Sequence, residues 1–367
     1  MKITSVEPVL VAIPYEQGAP KPPSTQIVSW EKVQILFVRV QTDEGLTGWG
    51  EAFAISGGAL TAKAVTDYVG KLAVGRTFTT AARFHDEMKR AMNSVARAGG
   101  PVAYALSGLD IALWDIEGKA AGKPVWRLLG GGERKRVPAY ASLFRLGEPR
   151  YVESVCRTAA ARGYRSIKLH EYTPEAVAAA RRGAGPDVSI TVDVNCHWTS
   201  LDEITAFCDA VKAHDISWLE EPLYPSDAWA MHAELRKRVK VPIAAGENLS
   251  NAAEVEAMLA AGGLDILQPS TAKIGGVTGV WRCYEQAKRL GARCVPHSPF
   301  HGPALLAAVH IVAAMQEDVP VELRYCDLEA SPFLPSCEGR AGMLDVPQGP
   351  GLGVEVDLAV VEKYRLL

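Results

Sequence analysis

The spacing of apolar residues divides the chain into two regions with different secondary structure. In the first region, three segments alternate between apolar and polar side chains, as half-buried strands do: residues 2–13, 32–41 and 46–53. The turn-forming run 42–45 separates the last two segments and predicts a hairpin. From Leu60 to Gly122 the apolar residues instead recur with helical spacing, interrupted by the breaker Gly99-Gly100-Pro101. These patterns predict an α+β unit that begins with an antiparallel meander.

In the second region, short apolar runs recur at intervals along the chain. They are PAYAS near 140, SIKLH ending at 170, SITVDVN ending at 195, ISWLE ending at 220, IAAGE ending at 247, DILQP near 268, RCVPH ending at 297 and PVELR near 322. Alanine-rich helical segments separate them, and Thr173, Ser200 and Ser250-Asn251 offer oxygens that can cap the helix starts. Eight strands alternating with helices are typical of a closed barrel. We therefore predict the α/β class, with a modified (β/α)8 barrel of the TIM type.

The chain is predicted to have three parts. Residues 1–125 form an N-terminal α+β capping domain, residues 126–330 form the barrel, and residues 331–367 return to complete the cap. The glycine run 130–132 is not followed by the Lys-Ser/Thr of a phosphate-binding loop, so we interpret it as a linker.

Composition and charge restrict the possible partners. The chain has 39 basic and 42 acidic residues, a net charge of −3, without a basic cluster that would indicate nucleic acid as a partner. It contains neither an 18-residue apolar run nor a cleavable leader pattern, so we expect a cytoplasmic location and no membrane association. Seven scattered cysteines, from Cys156 to Cys337, form no CxxC pair and argue against a disulfide framework or a thiolate zinc site. These features favour a small-molecule partner.

Three carboxylates occupy the same position on neighbouring predicted strands. Asp193 ends the third barrel strand, Glu220 ends the fourth and Glu247 ends the fifth, at equal spacing along the chain. Catalytic groups of a β/α barrel lie at the carboxyl ends of its strands, so these side chains are expected to converge. Neighbouring negative charges raise one another's pKa unless a cation neutralises them, and an all-oxygen ligand set suits a hard ion. We predict bound Mg²⁺, against the alternative that each carboxylate is separately solvated or salt-bridged.

Other polar residues at strand ends are candidates for proton transfer. Lys168 and His170 end the second strand two residues apart, so both can face the mouth beside Asp193. A histidine needs little pKa adjustment to act as a base near neutral pH, whereas a lysine needs a large one. His297 ends the seventh strand and can transfer a proton on the opposite face of a substrate, while Glu322 can bind the enediolate. Structural roles, such as neutralisation of a carboxylate by Lys168, remain alternatives.

Further residues are candidates for substrate contacts or supporting roles. The candidate substrate-binding residues are Tyr15, Trp49, Asn195, Ser270 and His301. His301 can alternatively cap the helix that follows it. Glu221 should point away from the side on which Glu220 lies, because side chains alternate along a strand.

Several motifs together resemble those of the mandelate racemase group of the enolase superfamily, over nearly the whole chain. They are ALSGLDIALWDIEGKAAGKPVWRLLGG from 105 to 131, DVN with Asp193, WLEEP with Glu220, AAGEN with Glu247, KIGGVTG from 273 to 279, VPHSPF with His297 and VELRY with Glu322. The resemblance implies a capping domain on a modified barrel, the three carboxylates as magnesium ligands and Glu322 as an electrophilic group. It also implies that magnesium binds a substrate carboxylate, a base removes the alpha proton, and the enediolate is reprotonated or expels a beta-hydroxyl.

The chain departs from the family pattern at two positions. Where the family has Lys-x-Lys, this chain has Lys168-x-His170, so an imidazole replaces a usual base. Ser270 stands where the racemase group carries the aspartate that orients the histidine and the muconate-lactonizing group carries a lysine. Without that aspartate, His297 is expected to be a weaker base and a better acid, which favours dehydration over racemisation. Lys273, three residues further along, is expected to face away from the strand-end layer.

The sequence therefore predicts a lyase that dehydrates an acid sugar to a 2-keto-3-deoxy acid. His170, assisted by Lys168, would remove the alpha proton, and His297 would protonate the departing hydroxyl. Two alternatives stay open: a racemase or epimerase that uses both histidines from opposite faces, and a carboxylate-binding protein without turnover. As in the family, two cap loops, residues 14–31 and 49–58, are expected to select the substrate. Apolar cap surfaces and the resemblance also predict a homo-oligomer.

Overall fold

The N-terminal part of the chain is an antiparallel meander, as its alternating apolar residues predict. Strands β1 (Ile3–Glu16), β2 (Lys32–Thr42) and β3 (Thr47–Ala52) pair in sequence order, with β2 in the middle. The structure is a computed structural model, and it describes residues 1–25, 28–93, 99–334 and 339–367. Positions 26–27 of the first cap loop and Cys337 lie outside the described residues.

Helices pack against the meander and build the rest of the cap. They are α1 (Gly58–Ala64), a π-helical turn (Val65–Val69), α2 (Gly70–Ala73), α3 (Ala81–Met92), α4 (Gly100–Ala121) and α5 (Val125–Leu128). Helix α4 approaches β3 so closely that a Cβ on Gly50 would lie 1.8 Å from the carbonyl oxygen of Gly108. Only glycine permits such an approach of two backbones.

The second part of the chain is a curled parallel sheet of eight strands, which confirms the predicted fold class. The strands are β4 (Arg136–Ser142), β5 (Ser166–Leu169), β6 (Ser189–Asp193), β7 (Ile216–Glu220), β8 (Ile243–Ala245), β9 (Ile266–Leu267), β10 (Arg293–Cys294) and β11 (Val321–Arg324). They pair in chain order from β4 to β10, and β11 pairs with the first strand, β4. Ser298, after β10, donates its hydroxyl to the carbonyl of Glu322 in β11 at 3.0 Å and joins the two ends of the sheet.

Helices alternate with these strands, as expected for a β/α barrel. They are α6 (Pro149–Ala161), α7 (Pro174–Ala184), α8 (Leu201–Val211) with a 3-10 turn (Lys212–His214), α9 (Trp229–Arg238), α10 (Ala252–Ala260), α11 (Gly276–Leu290) and α12 (Pro303–Ala314). Side-chain oxygens of Thr173, Ser200 and Asn251 accept amide hydrogens at three helix starts, as predicted. Over the part of the chain that is described, no helix is long and apolar enough to cross a membrane.

Several barrel strands are shorter than the apolar runs that predict them. The strand β6 ends at Asp193, because Asn195 and Cys196 take positive φ angles of 47° and 57°. The strand β10 ends at Cys294, and His297 lies beyond it, bridged to Ser270. Some polar residues at the mouth, such as Glu247 and His297, therefore lie on loops that follow short strands.

Helix α4 of the cap holds the loop that follows β9 and the start of α11. The hydroxyl of Ser107 accepts the amide hydrogen of Gly275 at 2.9 Å, and Asp110 accepts that of Thr278 at 3.0 Å. The indole of Trp114 donates to the hydroxyl of Thr278 at 2.9 Å. All three contacts come from α4, so the cap fixes the backbone of the segment KIGGVTG at the barrel mouth.

The C-terminal part of the chain, from Asp327 onwards, contacts β1 near its middle and at its end. Its elements are β12 (Asp327–Leu328), β13 (Phe333–Leu334), β14 (Met343–Asp345), β15 (Glu355–Val356) and α13 (Leu358–Tyr364). The strand β12 pairs with β1 at Tyr15 and Glu16, and the amide of Leu366 donates to the carbonyl of Leu10 at 2.7 Å. These contacts join the last residues of the chain to its first strand.

Candidate active site

Three carboxylates meet at the carboxyl ends of neighbouring barrel strands. Asp193 is the last residue of β6, Glu220 is the last residue of β7, and the two are register partners. Glu247 follows the end of β8 by two residues. One oxygen from each side chain lies within 4.8 Å of the others, and Asp193 and Glu220 are fully buried. Oxygens around one small cation have comparable spacing, because each metal–oxygen distance is about 2.0–2.6 Å.

Lys168 lies at the centre of this cluster. Its ammonium is 2.9 Å from Oδ2 of Asp193 and 3.1 Å from Oε1 of Glu322, and it also contacts Oε1 of Glu220 closely. Burial lowers the pKa of Lys168, but the carboxylates of Asp193, Glu220 and Glu322 raise it well above the ordinary value. In this arrangement Lys168 is a fixed positive charge, which favours a neutralising role over that of the proton acceptor.

The surroundings of two of the carboxylates shift their pKa values in opposite directions. Burial raises the pKa of Glu220 well above its ordinary value, although Lys168 opposes the shift. Burial acts in the same direction on Glu247, but His297 and Lys273 lower its pKa well below the ordinary range. The charge of the cluster is therefore distributed unevenly, with a firmly ionised carboxylate on the side of β8 and β9.

His170 is oriented by a backbone carbonyl. Its Nδ1 lies 2.5 Å from the carbonyl oxygen of Leu143, and its Nε2 lies 3.3 Å from Oδ2 of Asp193. A carbonyl can only accept a hydrogen bond, so Nδ1 carries a proton, and whenever the ring is neutral its lone pair lies on Nε2. Nε2 therefore faces Asp193, and the side chain keeps 13% of its surface exposed.

His297 lies on the opposite side of the cluster. Its Nε2 is 2.9 Å from Oε2 of Glu247, and its backbone is bridged to Ser270 on the neighbouring segment. Ser270 is fully buried, so a short hydroxyl occupies the position beside this histidine. The ring of Phe300 packs edge-on against the imidazole, with centroids 5.9 Å apart. Phe300 thus packs directly beside His297.

Glu322 connects the cluster to the closing edge of the barrel. Its Oε2 accepts the amide hydrogen of Ser298 at 3.1 Å, while Oε1 faces Lys168. Burial acts to raise the pKa of Glu322. Lys168, His297 and Arg324 act in the opposite direction and outweigh burial, so the pKa is lowered to about 2. The carboxylate is therefore ionised and held from two sides.

The prediction that Lys273 faces away from the strand-end layer is wrong. Its ammonium lies 3.4 Å from Oε1 of Glu247 and 3.1 Å from Oδ1 of Asn248, and it sits 4.6 Å from the ring centre of Phe53 in the cap. The strand β9 ends at Leu267, and a turn follows before α11. Strand alternation therefore does not extend to Lys273 and cannot predict the direction of its side chain.

Asn195 and Glu221 support neighbouring groups. The backbone and side-chain amides of Asn195 both donate to Oδ1 of Asp193, at 2.9 and 3.0 Å. Oε1 of Glu221 accepts the amide hydrogen of Gly246 at 2.9 Å, away from the central cluster. Burial raises the pKa of Glu221 to about 7. Asn195 thus orients a carboxylate of the cluster, and Glu221 holds the backbone just after β8.

Two of the remaining candidate residues, Tyr15 and His301, lie in an outer layer, where the cap meets the barrel. Tyr15 stacks on Phe144 with ring centroids 4.8 Å apart, and Trp30 packs edge-on against the same ring. Tyr15 and His301 line a small cavity there, of about 40 Å³. Trp49 is not among the residues that line it, and its indole packs on the cap sheet. The structure therefore brings Tyr15 and His301 towards the mouth but not Trp49.

Sequence reasoning assigned no role to Arg324 and Lys32 in this outer layer, and it placed Glu51 only within the second cap loop, residues 49–58. Arg324 and Lys32 line the cavity, and so does Glu51, whose Oε2 accepts the amide hydrogen of Ala304 at the start of α12 at 2.8 Å. The position of Arg324 could have been found, because it follows Glu322 by two residues and lies on the same face of β11. The contact of Glu51 joins residues far apart in the chain, and no local pattern indicates it.

The composition of the inner cluster fits a divalent cation. Four carboxylates converge, at positions 193, 220, 247 and 322, and two ammonium groups approach them, at positions 168 and 273. When the four carboxylates and the two lysines are all ionised, the negative charges outnumber the positive ones by two. Burying this excess of negative charge is costly without a further cation. An all-oxygen ligand set suits a hard divalent ion.

Comparisons with known proteins cover nearly the whole chain. Residues 10–130 match the family model described as the mandelate racemase / muconate lactonizing enzyme N-terminal domain, and residues 150–360 match the one described as enolase C-terminal domain-like. The chain is 30% identical to a D-galactarolactone cycloisomerase of Agrobacterium fabrum, over 100% of this chain and 99% of the relative. It is 28% identical to a D-galactonate dehydratase of Klebsiella pneumoniae, over 91% of this chain and 92% of the relative.

A solved structure adds information about the metal. The fold is similar to that of a racemase from Streptomyces coelicolor A3(2) with bound magnesium, with a TM-score of 0.84 and 25% sequence identity. The match covers 99% of this chain and 100% of that chain.

Proposed function

The chain is an enzyme of the mandelate racemase / muconate lactonizing enzyme family within the enolase superfamily, and we propose that it is an acid-sugar dehydratase. In the proposed reaction, a base removes the proton alpha to the carboxylate, and the beta-hydroxyl then leaves as water. The observation that carries the proposal is the convergence of three carboxylates within 4.8 Å beside two histidines. The name of the dehydratase relative supports the same reaction class.

Asp193, Glu220 and Glu247 would hold the metal, which we propose to be Mg²⁺. The acidic cluster and the magnesium in the related racemase structure support this assignment. When bound, such an ion supplies positive charge that stabilises the enediolate oxygens. Lys168 contacts two of the three carboxylates and would keep them in place while it adds a further positive charge.

His170 is the proposed base. The carbonyl of Leu143 holds its proton on Nδ1, which leaves the lone pair of Nε2 directed at the site. The alpha proton would move to Nε2, and the electron pair of the broken C–H bond would form the enediolate. Lys168 does not suit this role, because the surrounding carboxylates keep its ammonium charged.

His297 and Glu322 would complete the reaction. His297 lies across the cluster from His170 and would donate a proton to the departing beta-hydroxyl as its C–O bond breaks. Ser270, beside it, lacks the carboxylate that would favour a role as base, which supports donation over abstraction. Glu322 would donate a hydrogen bond to the reacting carboxylate only after it takes up a proton, because an ionised carboxylate can only accept. The enol that forms rearranges to a 2-keto-3-deoxy acid.

A second candidate is cycloisomerisation of a sugar-acid lactone. The relative that is 30% identical over the whole chain is a D-galactarolactone cycloisomerase. Opening a lactone by beta-elimination begins with the same alpha-proton abstraction, but the leaving group is the ring oxygen of the ester and no water is lost. The two reactions would therefore use the same base and differ in the group that His297 protonates.

The test is a panel of sugar acids and their lactones incubated with Mg²⁺ in deuterated water and followed by proton NMR. Dehydration predicts a keto acid with deuterium at C3, and His170→Asn should abolish its formation, whereas His214→Asn, in the 3-10 turn after α8, should not. Accumulation of alpha-deuterated substrate without loss of water would instead indicate a racemase or epimerase. Binding without exchange or product would indicate a carboxylate-binding protein.

A further inference from the structure

The small cavity between cap and barrel is lined by residues from both parts of the chain. The cap contributes Lys32 and Glu51, and the barrel contributes Phe144, Phe300, His301 and Arg324. Its volume of about 40 Å³ exceeds the roughly 10–15 Å³ that one water molecule requires. Phe300 forms part of its wall and packs against His297, so the cavity adjoins the catalytic cluster.

Arg324 is a charged group without a charged partner. Its guanidinium carbon lies 4.8 Å from the ring centre of Phe144, and its Nε donates to the carbonyl of Pro299 at a long 3.5 Å. Among the described residues, no carboxylate lies within ion-pair distance of it. A guanidinium has five N–H donors, so most of the donors of Arg324 remain available to a ligand.

The other titratable groups around the cavity leave its charge positive. Burial raises the pKa of Glu51 to about 8, so this carboxyl is largely protonated at neutral pH. Burial and the charge of Arg324 lower the pKa of His301 to about 3, so this imidazole is neutral. Lys32, at the start of β2, has no ion pair within the described part of the chain either. Arg324 and Lys32 are thus the cations among the residues that line the cavity, and neither forms an ion pair within the described part of the chain.

The separation between Arg324 and Glu322 can be compared with the length of a substrate molecule. Arg324 follows Glu322 by two residues on β11, which places it on the same face and about 6.6 Å nearer the mouth. An extended six-carbon diacid has five C–C bonds between its carboxyl carbons and spans about 6 Å, by the reach of an extended backbone. A molecule of that length with one carboxylate beside Glu322 would therefore be long enough to bring its other end to Arg324.

We propose that this cavity binds the second carboxylate of a sugar diacid or of its lactone, with Arg324 as the main contact and Lys32 as a supporting charge. The inference rests on the proposed function, because that function decides which end of the molecule reacts. A bidentate guanidinium–carboxylate contact would select a diacid over the corresponding monoacid. The stack of Arg324 on Phe144 would hold the guanidinium plane in place for that contact.

The test compares galactarate and galactonate, a diacid and a monoacid of the same sugar configuration, as substrates. We expect the wild type to prefer the diacid, and Arg324→Met to lower kcat/KM for it by about 10- to 100-fold, the range for a lost charge-assisted bond. The monoacid should change by less than about threefold. Arg324→Lys, which keeps a point charge, should recover part of the loss. Arg293→Met, on an exposed arginine at the opposite end of the barrel, is the matched control.

The outcomes separate this proposal from the proposed function. Equal losses on both acids, or a wild type that prefers the monoacid, would overturn the diacid subsite and leave the dehydratase proposal intact. If neither acid is turned over, the dehydratase proposal fails for this pair, and calorimetry with the same two acids still tests the subsite. Tighter binding of galactarate that Arg324→Met abolishes would support it, and equal binding of both acids would refute it. Melting curves of the variants show whether each one folds.

Discussion

The buried carboxyl of Glu51 should make the stability of the protein depend on pH in an unusual direction. Glu51 lies in β3 and reaches the first turn of α12, where Oε2 accepts the amide hydrogen of Ala304 at 2.8 Å. Burial raises its pKa from 4.5 to about 8, so the folded protein holds a proton that the unfolded chain releases near pH 4.5. The stabilisation from this proton is complete below about pH 4.5 and is lost as pH rises to about 8.

The magnitude follows from the size of the pKa shift. A rise from 4.5 to about 8 corresponds to about 5 kcal/mol, an upper figure that relaxation of the site would reduce. Gln at this position keeps an oxygen that can accept the Ala304 amide hydrogen, but it does not titrate. The variant Glu51→Gln should therefore gain stability relative to the wild type as pH rises from 5 to 9. Glu44→Gln, on an exposed residue of the turn before β3, should not.

The assay is guanidinium unfolding of both variants and the wild type at one-unit pH intervals. The difference between wild type and Glu51→Gln isolates Glu51, because all other groups titrate equally in both proteins. Infrared difference spectra should show a protonated carboxyl at pH 6 that is missing in the variant. A stability difference that stays constant between pH 5 and 9 would refute the reasoning, and it would also remove the basis for treating the outer cavity as positively charged.

Two further predictions concern single contacts. Replacing Lys273 by Met should tighten Mg²⁺ binding several-fold in calorimetry, because a fixed positive charge 3.4 Å from Glu247 is removed; weaker binding would mean that the lysine chiefly orients the carboxylate. Gly276→Ala should destabilise the protein by several kcal/mol more than Gly122→Ala, as measured by denaturant unfolding. Both glycines have positive φ, but a Cβ on Gly276 would lie 2.4 Å from Oδ1 of Asp110, whereas the other position is open; equal losses would contradict the packing.

The sequence predicted the architecture because its main signals are local. Two patterns depend only on residues near one another in the chain: the alternation over β1 to β3 and the recurrence of short apolar runs. The meander and the barrel strands that they predict agree with the structure. The three carboxylates could also be predicted to meet, because each ends a strand or follows its last residue closely, and neighbouring strands of a parallel barrel bring their ends together. Their assignment did not require knowledge of any long-range contact.

The rest of the site could not be predicted, because it depends on loops and on contacts between distant residues. Lys273 turns towards Glu247 because the chain leaves the strand at Leu267 and is then held by helix α4 of the cap. The charge state of Lys168 depends on carboxylates from three other strands, and alternation says nothing about their distances. The outer cavity likewise forms only when the cap residue Lys32 meets the barrel residue Arg324.

The most direct test of the account is a crystal structure of the protein soaked with Mn²⁺ in place of Mg²⁺, with the ion located from its anomalous scattering. The account predicts one ion bound by oxygens of Asp193, Glu220 and Glu247 at about 2.0–2.2 Å, the usual distance for such hard divalent ions. An ion bound elsewhere, or a protein that exchanges alpha protons of sugar acids at full rate while these three carboxylates hold no metal, would contradict it.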